Sequence, residues 1–324
     1  MNIGAVTSMM KQKKYPNTLI SVRDLIMPYF VIEGHRKKEP VKSMPGIARL
    51  SIDLLIKEIA RANKLGVRSV LLFGICPSRH KTPSGDHAYA PESVVARAVA
   101  SIKRNIKGVS VITDVCLCAY TDHGHCGVLK KNSGAIDPKP TLGALSEMAL
   151  AHARAGADWV APSAMVHRQV DAIRRKLDRH GYRKARILGY SAKFASNFYG
   201  PFRDAAASAP QFGDRSGYQL HYADTKRALR EIAEDIREGA DMVMVKPALS
   251  YLDIIGEAKR KFKFPTAAYN VSGEYTLVKH GARDGLWDER KMVFEVLTSI
   301  KRAGADLIIT YHATDVAKWL AGKH

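Results

Sequence analysis

Eight short apolar runs, rich in Val, Ile and Leu, alternate along this chain with eight segments of helical period, and nothing else in the sequence limits the fold as much. The runs begin at Pro28, Arg68, Val109, Asp158, Arg186, Asp241, Thr266 and Asp306. The helical segments lie near 51–65, 91–106, 141–155, 167–180, 224–238, 249–262, 288–303 and 314–321. Ser51 and Pro91 suit helix starts, and Gly66, Gly156, Gly181, Gly239 and Gly304 suit helix ends. Ala-Gly-Ala-Asp leads into a run at 155–158 and again at 303–306, with Glu-Gly-Ala-Asp at 238–241. Strands buried on both faces read as unbroken apolar stretches, so the pattern predicts a (β/α)8 barrel. A doubly wound sheet is the competing arrangement, but no Gly-x-Gly-x-x-Gly follows the first run. Residues 1–27 are polar and basic without period, and are expected to form an N-terminal arm making subunit contacts outside a barrel of residues 28–324.

A length of 324 residues suits one such barrel. The N-terminus has no apolar segment of the kind that directs export, and no stretch approaches the ~18 apolar residues of a membrane span. Four cysteines in so long a chain do not suggest a disulfide framework. A cytoplasmic protein without a membrane partner is expected. The formal charge of +20 raises the question of nucleic acid, but the basic residues are spread over helix-like segments and read as solvated faces. No finger or aromatic RNA-binding motif accompanies them. A basic surface would also draw in a small anionic substrate.

Barrels of this kind carry their active sites at the C-terminal ends of the strands. Those ends hold Phe73, Asp114, Ser163, Lys193, Lys246, Ser272 and Tyr311. Lys246 emerges straight from an apolar run, which places it in the barrel mouth, with Lys193 at the end of the preceding run. Burial and a neighbouring cation both lower a lysine's pKa, leaving a free amine able to attack a ketone. Binding a substrate anion is the alternative role. Between Asp114 and Gly127 the chain places Cys116, Cys118 and Cys126 beside His123 and His125. Structural zinc sites use four ligands in paired knuckles, whereas three ligands and an open position mark a catalytic zinc. A histidine closing the site is left open by the spacing.

These stretches resemble the porphobilinogen synthase (5-aminolevulinate dehydratase) family. The matching segments are Asp114–Gly127, Tyr190–Ser196, Phe198–Ala205, Gly213–Arg215, Tyr218–Gln219, Met244–Ala248, Ala268–Glu274 and Ile309–Tyr311, in family order across most of the barrel. The resemblance implies condensation of two 5-aminolevulinate molecules to porphobilinogen, with Schiff bases on Lys193 (A side) and Lys246 (P side). Cys116, Cys118 and Cys126 match the ligands of the zinc-dependent branch. Arg203, Arg215 and Gln219 match the clamp on the A-side carboxylate, and Ser272 and Tyr311 its P-side counterpart. Asp114, Ser163, Tyr190, Phe73, Tyr199 and Phe202 match pocket-lining positions, and residues 197–219 match a lid. Glu231 falls where some members bind an allosteric magnesium, and an N-terminal arm implies a homo-octamer or a hexamer.

The chain also departs from the family. Many members read Asp-Met-Met-Asp-Gly where this one has Ala164-Met-Val-His-Arg168, which puts any contact made there in question. Gly217 stands where a lid cysteine would help hold a second zinc, so no second zinc is expected. Asp122 is unusual in the loop and is a candidate to bias metal choice. Another Schiff-base aldolase would explain Lys246 but not the cysteines, and a basic zinc protein binding nucleic acid would explain the charge but neither lysine.

Overall fold

The computed structural model describes residues 19–131 and 133–323. Strand β1 (Leu25–Ile32) is followed by a short hairpin, β2 (Lys38–Pro40) and β3 (Ala48–Ser51), and by helix α1 (Ile52–Lys64). Then come β4 (Ser69–Gly74), α2 (Val94–Asn105), β5 (Ser110–Val115), α3 (Pro138–Arg154), β6 (Trp159–Pro162) and α4 (Gln169–Arg179). The chain continues through β7 (Arg186–Lys193), α5 (Gly200–Ala205), α6 (Thr225–Arg237), β8 (Met242–Lys246) and α7 (Leu252–Phe262). It ends with β9 (Thr266–Asn270), α8 (Ser272–Arg283), α9 (Glu289–Ala303), β10 (Leu307–Thr310) and α10 (Ala313–Leu320).

The eight apolar runs are β1 and β4 to β10. They pair in parallel, and β10 closes on β1, so the barrel expected from the alternation is the fold. Closure is shared along β1: its Leu25 and Ile26 pair with Ile308 and Ile309, while Phe30, Val31 and Ile32 pair with Arg49, Leu50 and Ser51 of β3. The hairpin thus continues the seam where β10 has ended. Alternation splits the core into two layers. Ile26, Phe30 and Ile32 of β1 fill the barrel interior, and Leu25, Met27, Tyr29 and Val31 face the helices. Helix α1 answers with Leu55, Ile59 and Ala62, one face at spacings of four and three, and each such large side chain stabilises by roughly 1.5–3 kcal/mol.

Some boundaries differ from expectation. Leu25–Met27, assigned above to the arm, begin the first strand, and residues 1–18 of that arm lie outside the described residues. Helix α2 starts at Val94, because the Ser93 hydroxyl accepts from the Ala96 amide (3.4 Å); Pro91 lies before the cap. Ser51 is at an N-cap position, but its hydroxyl donates to Asp53 and leaves the helix amides alone. The five expected terminal glycines all have positive φ. Two helices, α5 and α8, were not expected. No helix among the described residues is long and apolar enough to cross a membrane.

Helix α6 docks on β7 through a buried acid. Gly189 leaves room for Asp235, whose Oδ2 would lie 2.7 Å from a Cβ there. Burial, followed by the neighbouring Glu238, Glu231 and Glu234, pushes Asp235 up to about 7, against a hydrogen bond with Ser191. The folded pKa is raised, so stability is fully present below the unfolded value and is lost as pH rises through about 7, by an amount on the order of 4 kcal/mol. Thermal midpoints are expected to carry a falling contribution between roughly pH 4 and 7, and Asp235→Asn to remove it. An unchanged slope in the variant would assign the effect elsewhere.

Candidate active site

Lys193 and Lys246 reach the mouth by different routes. In β8, Met242 and Met244 point inward and Val243 and Val245 outward, so simple alternation turns Lys246 in. In β7, Leu188 and Tyr190 point inward, and strict alternation would turn Lys193 out. A bulge between Gly189 and Ala192 inserts one extra residue, turns Ala192 outward and brings Lys193 into register with Lys246.

Both lysines are buried (6% and 4% exposed) and line one small cavity with Phe73, Asp114, Cys116, Cys118, Ser163, Tyr199, Phe202 and Arg215. Lys193 Nζ donates to the Ser163 carbonyl at 2.5 Å. Lys246 Nζ lies among aromatic rings: it sits 4.1 Å from the Tyr269 ring centre and 5.1–5.2 Å from those of Tyr190, Phe202 and Tyr199. Burial first and the Lys193 charge second hold its pKa well below the ordinary lysine value, with Asp114 pulling the other way. That environment disfavours the ammonium form of Lys246. Burial raises the Asp114 carboxyl against the pull of Lys193, and Asp114 is the one carboxylate lining the cavity.

The cysteine loop follows β5 and turns back over the same cavity. The Sγ atoms of Cys116, Cys118 and Cys126 lie within 4.8 Å of one another, and those of Cys116 and Cys118 are 3.4 Å apart. All three are buried and none is in a disulfide. Hydrogen bonds from Cys116 and Cys118, helped by the Arg215 and Lys193 charges, hold the Cys126 thiol well below its usual value. A compact, buried set of three sulfurs, two of them lining the cavity, fits zinc, which takes soft thiolates. Cys76 and Asp122 are not part of the group. Among the described residues one other set has ligand spacing: Glu289, His312 and Asp315. The Lys279 ammonium already binds Glu289 and, at 2.9 Å, Asp315.

Residues 197–219 cover the mouth. Burial first and the Arg215 charge second push the Arg203 guanidinium below its ordinary value, and both Nε atoms are buried without a partner. Gln219, 1% exposed, has neither side-chain atom bonded. Buried donors are rarely left unpaired, so this group is prepared for an acceptor, and a carboxylate suits two guanidinium forks. On the opposite side, the Ser272 hydroxyl donates to the Phe198 carbonyl (3.1 Å) and accepts from the Phe202 amide (3.0 Å), tying α8 to the lid. Tyr311 pairs with Tyr269 through their hydroxyls at 3.1 Å. Tyr199 donates to the Lys246 carbonyl at 3.1 Å, and the Phe202 ring meets Phe73 edge-on.

Glu231 stands apart from this constellation. It lies on α6, takes a bond from Arg227 (3.3 Å), and faces the turn 165–169 with Glu234, Asp235 and Glu238. There His167 comes within 3.7 Å of Glu234, and Arg168 adopts a left-handed backbone where many family members have glycine. Two residues escaped the sequence reading. Tyr269, whose signal was its place next to the end of an apolar run, forms the nearest wall of the Lys246 cage. The buried Glu274 carboxylate accepts from the Leu249 and Val271 amides and from Asn270, joining the segment after Lys246 to the start of α8.

The sequence model described as "Delta-aminolevulinic acid dehydratase" matches residues 5–319. The Bacillus subtilis delta-aminolevulinic acid dehydratase is 48% identical over 315 residues, covering 97% of this chain and 96% of its own. The Synechocystis protein of the same name is 48% identical over 316 residues, with the same coverage. The crystal structure of the Toxoplasma gondii delta-aminolevulinic acid dehydratase (porphobilinogen synthase), in complex with the reaction product porphobilinogen, superimposes with a TM-score of 0.94 at 41% identity. It covers 96% of this chain and 88% of that one. With a family match over nearly its whole length and the two lysines in one cavity beside the three-cysteine cluster, this chain belongs to the delta-aminolevulinic acid dehydratase family.

Proposed function

We propose that this chain is a porphobilinogen synthase, a hydro-lyase that condenses two 5-aminolevulinate molecules to porphobilinogen with loss of two waters, in tetrapyrrole (heme) synthesis. The observation that carries the reading is the pair of buried, in-register lysines beside three thiols, under a segment whose Arg203 and Arg215 Nε atoms are buried without a partner. The free amine of Lys246 attacks the ketone carbon of one substrate, and the ketone oxygen leaves as water when the imine forms. Asp114, on the wall of the same cavity, relays a proton from that nitrogen to the departing oxygen, so both hydrogens of the water come from the amine. Lys193, held by the Ser163 carbonyl, binds the second ketone in the same way. In this reading Arg203, Arg215 and Gln219 grip the A-side carboxylate. Ser272 and Tyr311 serve the P side once substrate displaces their present partners. The aromatic rings of Tyr190, Tyr199, Phe202 and Phe73 exclude water.

Zinc held by Cys116, Cys118 and Cys126 would act as a Lewis acid with an open position toward the substrate amine. Magnesium at Glu231 is a separate proposal, tested by whether Glu231→Ala abolishes any magnesium activation. Self-association through the arm, to an octamer or hexamer, is tested by sedimentation of the full chain against one lacking residues 1–18. For the main reading, borohydride reduction with 5-aminolevulinate is expected to leave a covalent adduct on the peptides carrying Lys246 and Lys193. Absence of any adduct on either would sink it.

A further inference from the structure

We propose that His125 is a positioning residue that latches the lid onto the cysteine loop and so sets the place of Arg215. The ring of His125 is buried, at 5% exposure. Its Nε2 lies 3.0 Å from the Phe212 carbonyl oxygen. A carbonyl only accepts, so Nε2 carries the hydrogen and Nδ1, 3.4 Å away, accepts from the Tyr218 hydroxyl. The Nδ1 of His123 accepts from the His125 amide (3.1 Å), which leaves its Nε2 to donate to the Pro83 carbonyl (3.2 Å). Every ring nitrogen of both histidines is thus engaged away from the three sulfurs, and neither imidazole joins that group.

The loop residues on either side make the same seat. The Gln211 amide donates to the His123 carbonyl at 3.1 Å, and Arg215 Nη2 donates to the Gly124 carbonyl at 3.0 Å. Gly124 has a φ of +73°, and a Cβ there would come 2.4 Å from the Ala209 carbonyl oxygen, so only glycine lets the lid close this far. Three consecutive loop residues, immediately before Cys126, therefore hold lid residues 209 to 218. The closed cavity leaves room for about one water, and both lysines are buried beneath the lid. The lid must open in each cycle. Individual hydrogen bonds of this kind, modest in net strength, suit contacts that are repeatedly made and broken.

The assignment rests on the reading of residues 197–219 as a lid over a 5-aminolevulinate site, and the test separates the two. In zinc-loaded, full-length enzyme, His125→Phe keeps a ring and removes both nitrogens. Zinc content is expected to be unchanged, protease cleavage within residues 206–219 to quicken several-fold, and KM for 5-aminolevulinate to rise roughly tenfold with kcat changed much less. Tyr218→Phe, which removes one hydroxyl, should move the same readouts in the same direction by about two- to threefold. His125→Gln, able to donate to Phe212, should fall between wild type and His125→Phe. Loss of zinc from His125→Phe in step with activity would make His125 a ligand and overturn the latch. Unchanged proteolysis and KM in both variants would overturn it as well. If wild type itself fails to turn over 5-aminolevulinate, the substrate reading falls, while lid proteolysis still reports on the latch.

Discussion

Lys246→Met is expected to abolish turnover, lowering kcat by roughly 10⁴-fold or more, as removal of a covalent nucleophile does elsewhere. The fold should survive. Lys246 is 4% exposed and its amine has no carboxylate partner, so the native state bears the cost of burying a polar head among four aromatic rings. Methionine has nearly the same length, needs no hydrogen bond and makes favourable contacts with aromatic edges. The melting temperature of the variant should equal or exceed that of wild type, and its circular dichroism should match. Residual kcat above a tenth of wild type would show that another group forms the bond. Lys193→Met should differ in one respect: it strands the Ser163 carbonyl, so lost activity should come with some lost stability.

Stripping the metal is the second large effect. Treatment with a strong chelator is expected to reduce activity by a factor on the order of 10³ or more, since a Lewis acid near the reacting atoms typically contributes several kcal/mol. Zinc should restore it and magnesium should not, because three sulfurs select a soft cation and magnesium seeks oxygen. Cys126→Ala should reproduce the chelated state without a chelator, as it removes one of the three sulfurs that would hold the metal. Zinc analysis and turnover on the same samples check both claims. Full activity in protein verified to be free of zinc would reject a catalytic metal. The metal should also raise the melting temperature, because a ligand that binds only the native chain adds to its stability.

The barrel was legible because strands covered on both sides cannot disguise themselves: Asp241 to Lys246 is apolar wherever the wall is apolar, and it ends on a charge where the wall meets the mouth. The hairpin was not legible. Its first strand is only Lys38-Glu39-Pro40, too short and too charged to show a period. Helix α8 was hidden by its glycines, which lower helix propensity. The packing explains them: a Cβ at Gly273 would come within 2.6 Å of the Phe198 backbone, and one at Gly281 within 2.0 Å of the Trp287 ring. Close approach to the lid at Gly273, and to Trp287 at Gly281, overrode local preference. In the site, the lysines and cysteines announced themselves by residue type and place. Tyr269 and Glu274 did not, because a strand tyrosine and a helix-start glutamate are ordinary residues until their neighbours are known. The histidines left open by spacing alone are resolved by geometry, since each ring nitrogen already has a partner in or beside the lid.

The register of Lys193 against Lys246 has an entropic consequence. Neighbouring strands run about 4.8 Å apart, a spacing set by main-chain hydrogen bonds. Two substrates anchored covalently on those lysines no longer need to find one another. Their coupling becomes a unimolecular event, and well-oriented pairs of this kind reach effective concentrations on the order of 10⁵–10⁸ M. The order needed for that encounter is supplied when the sheet folds, before either substrate arrives.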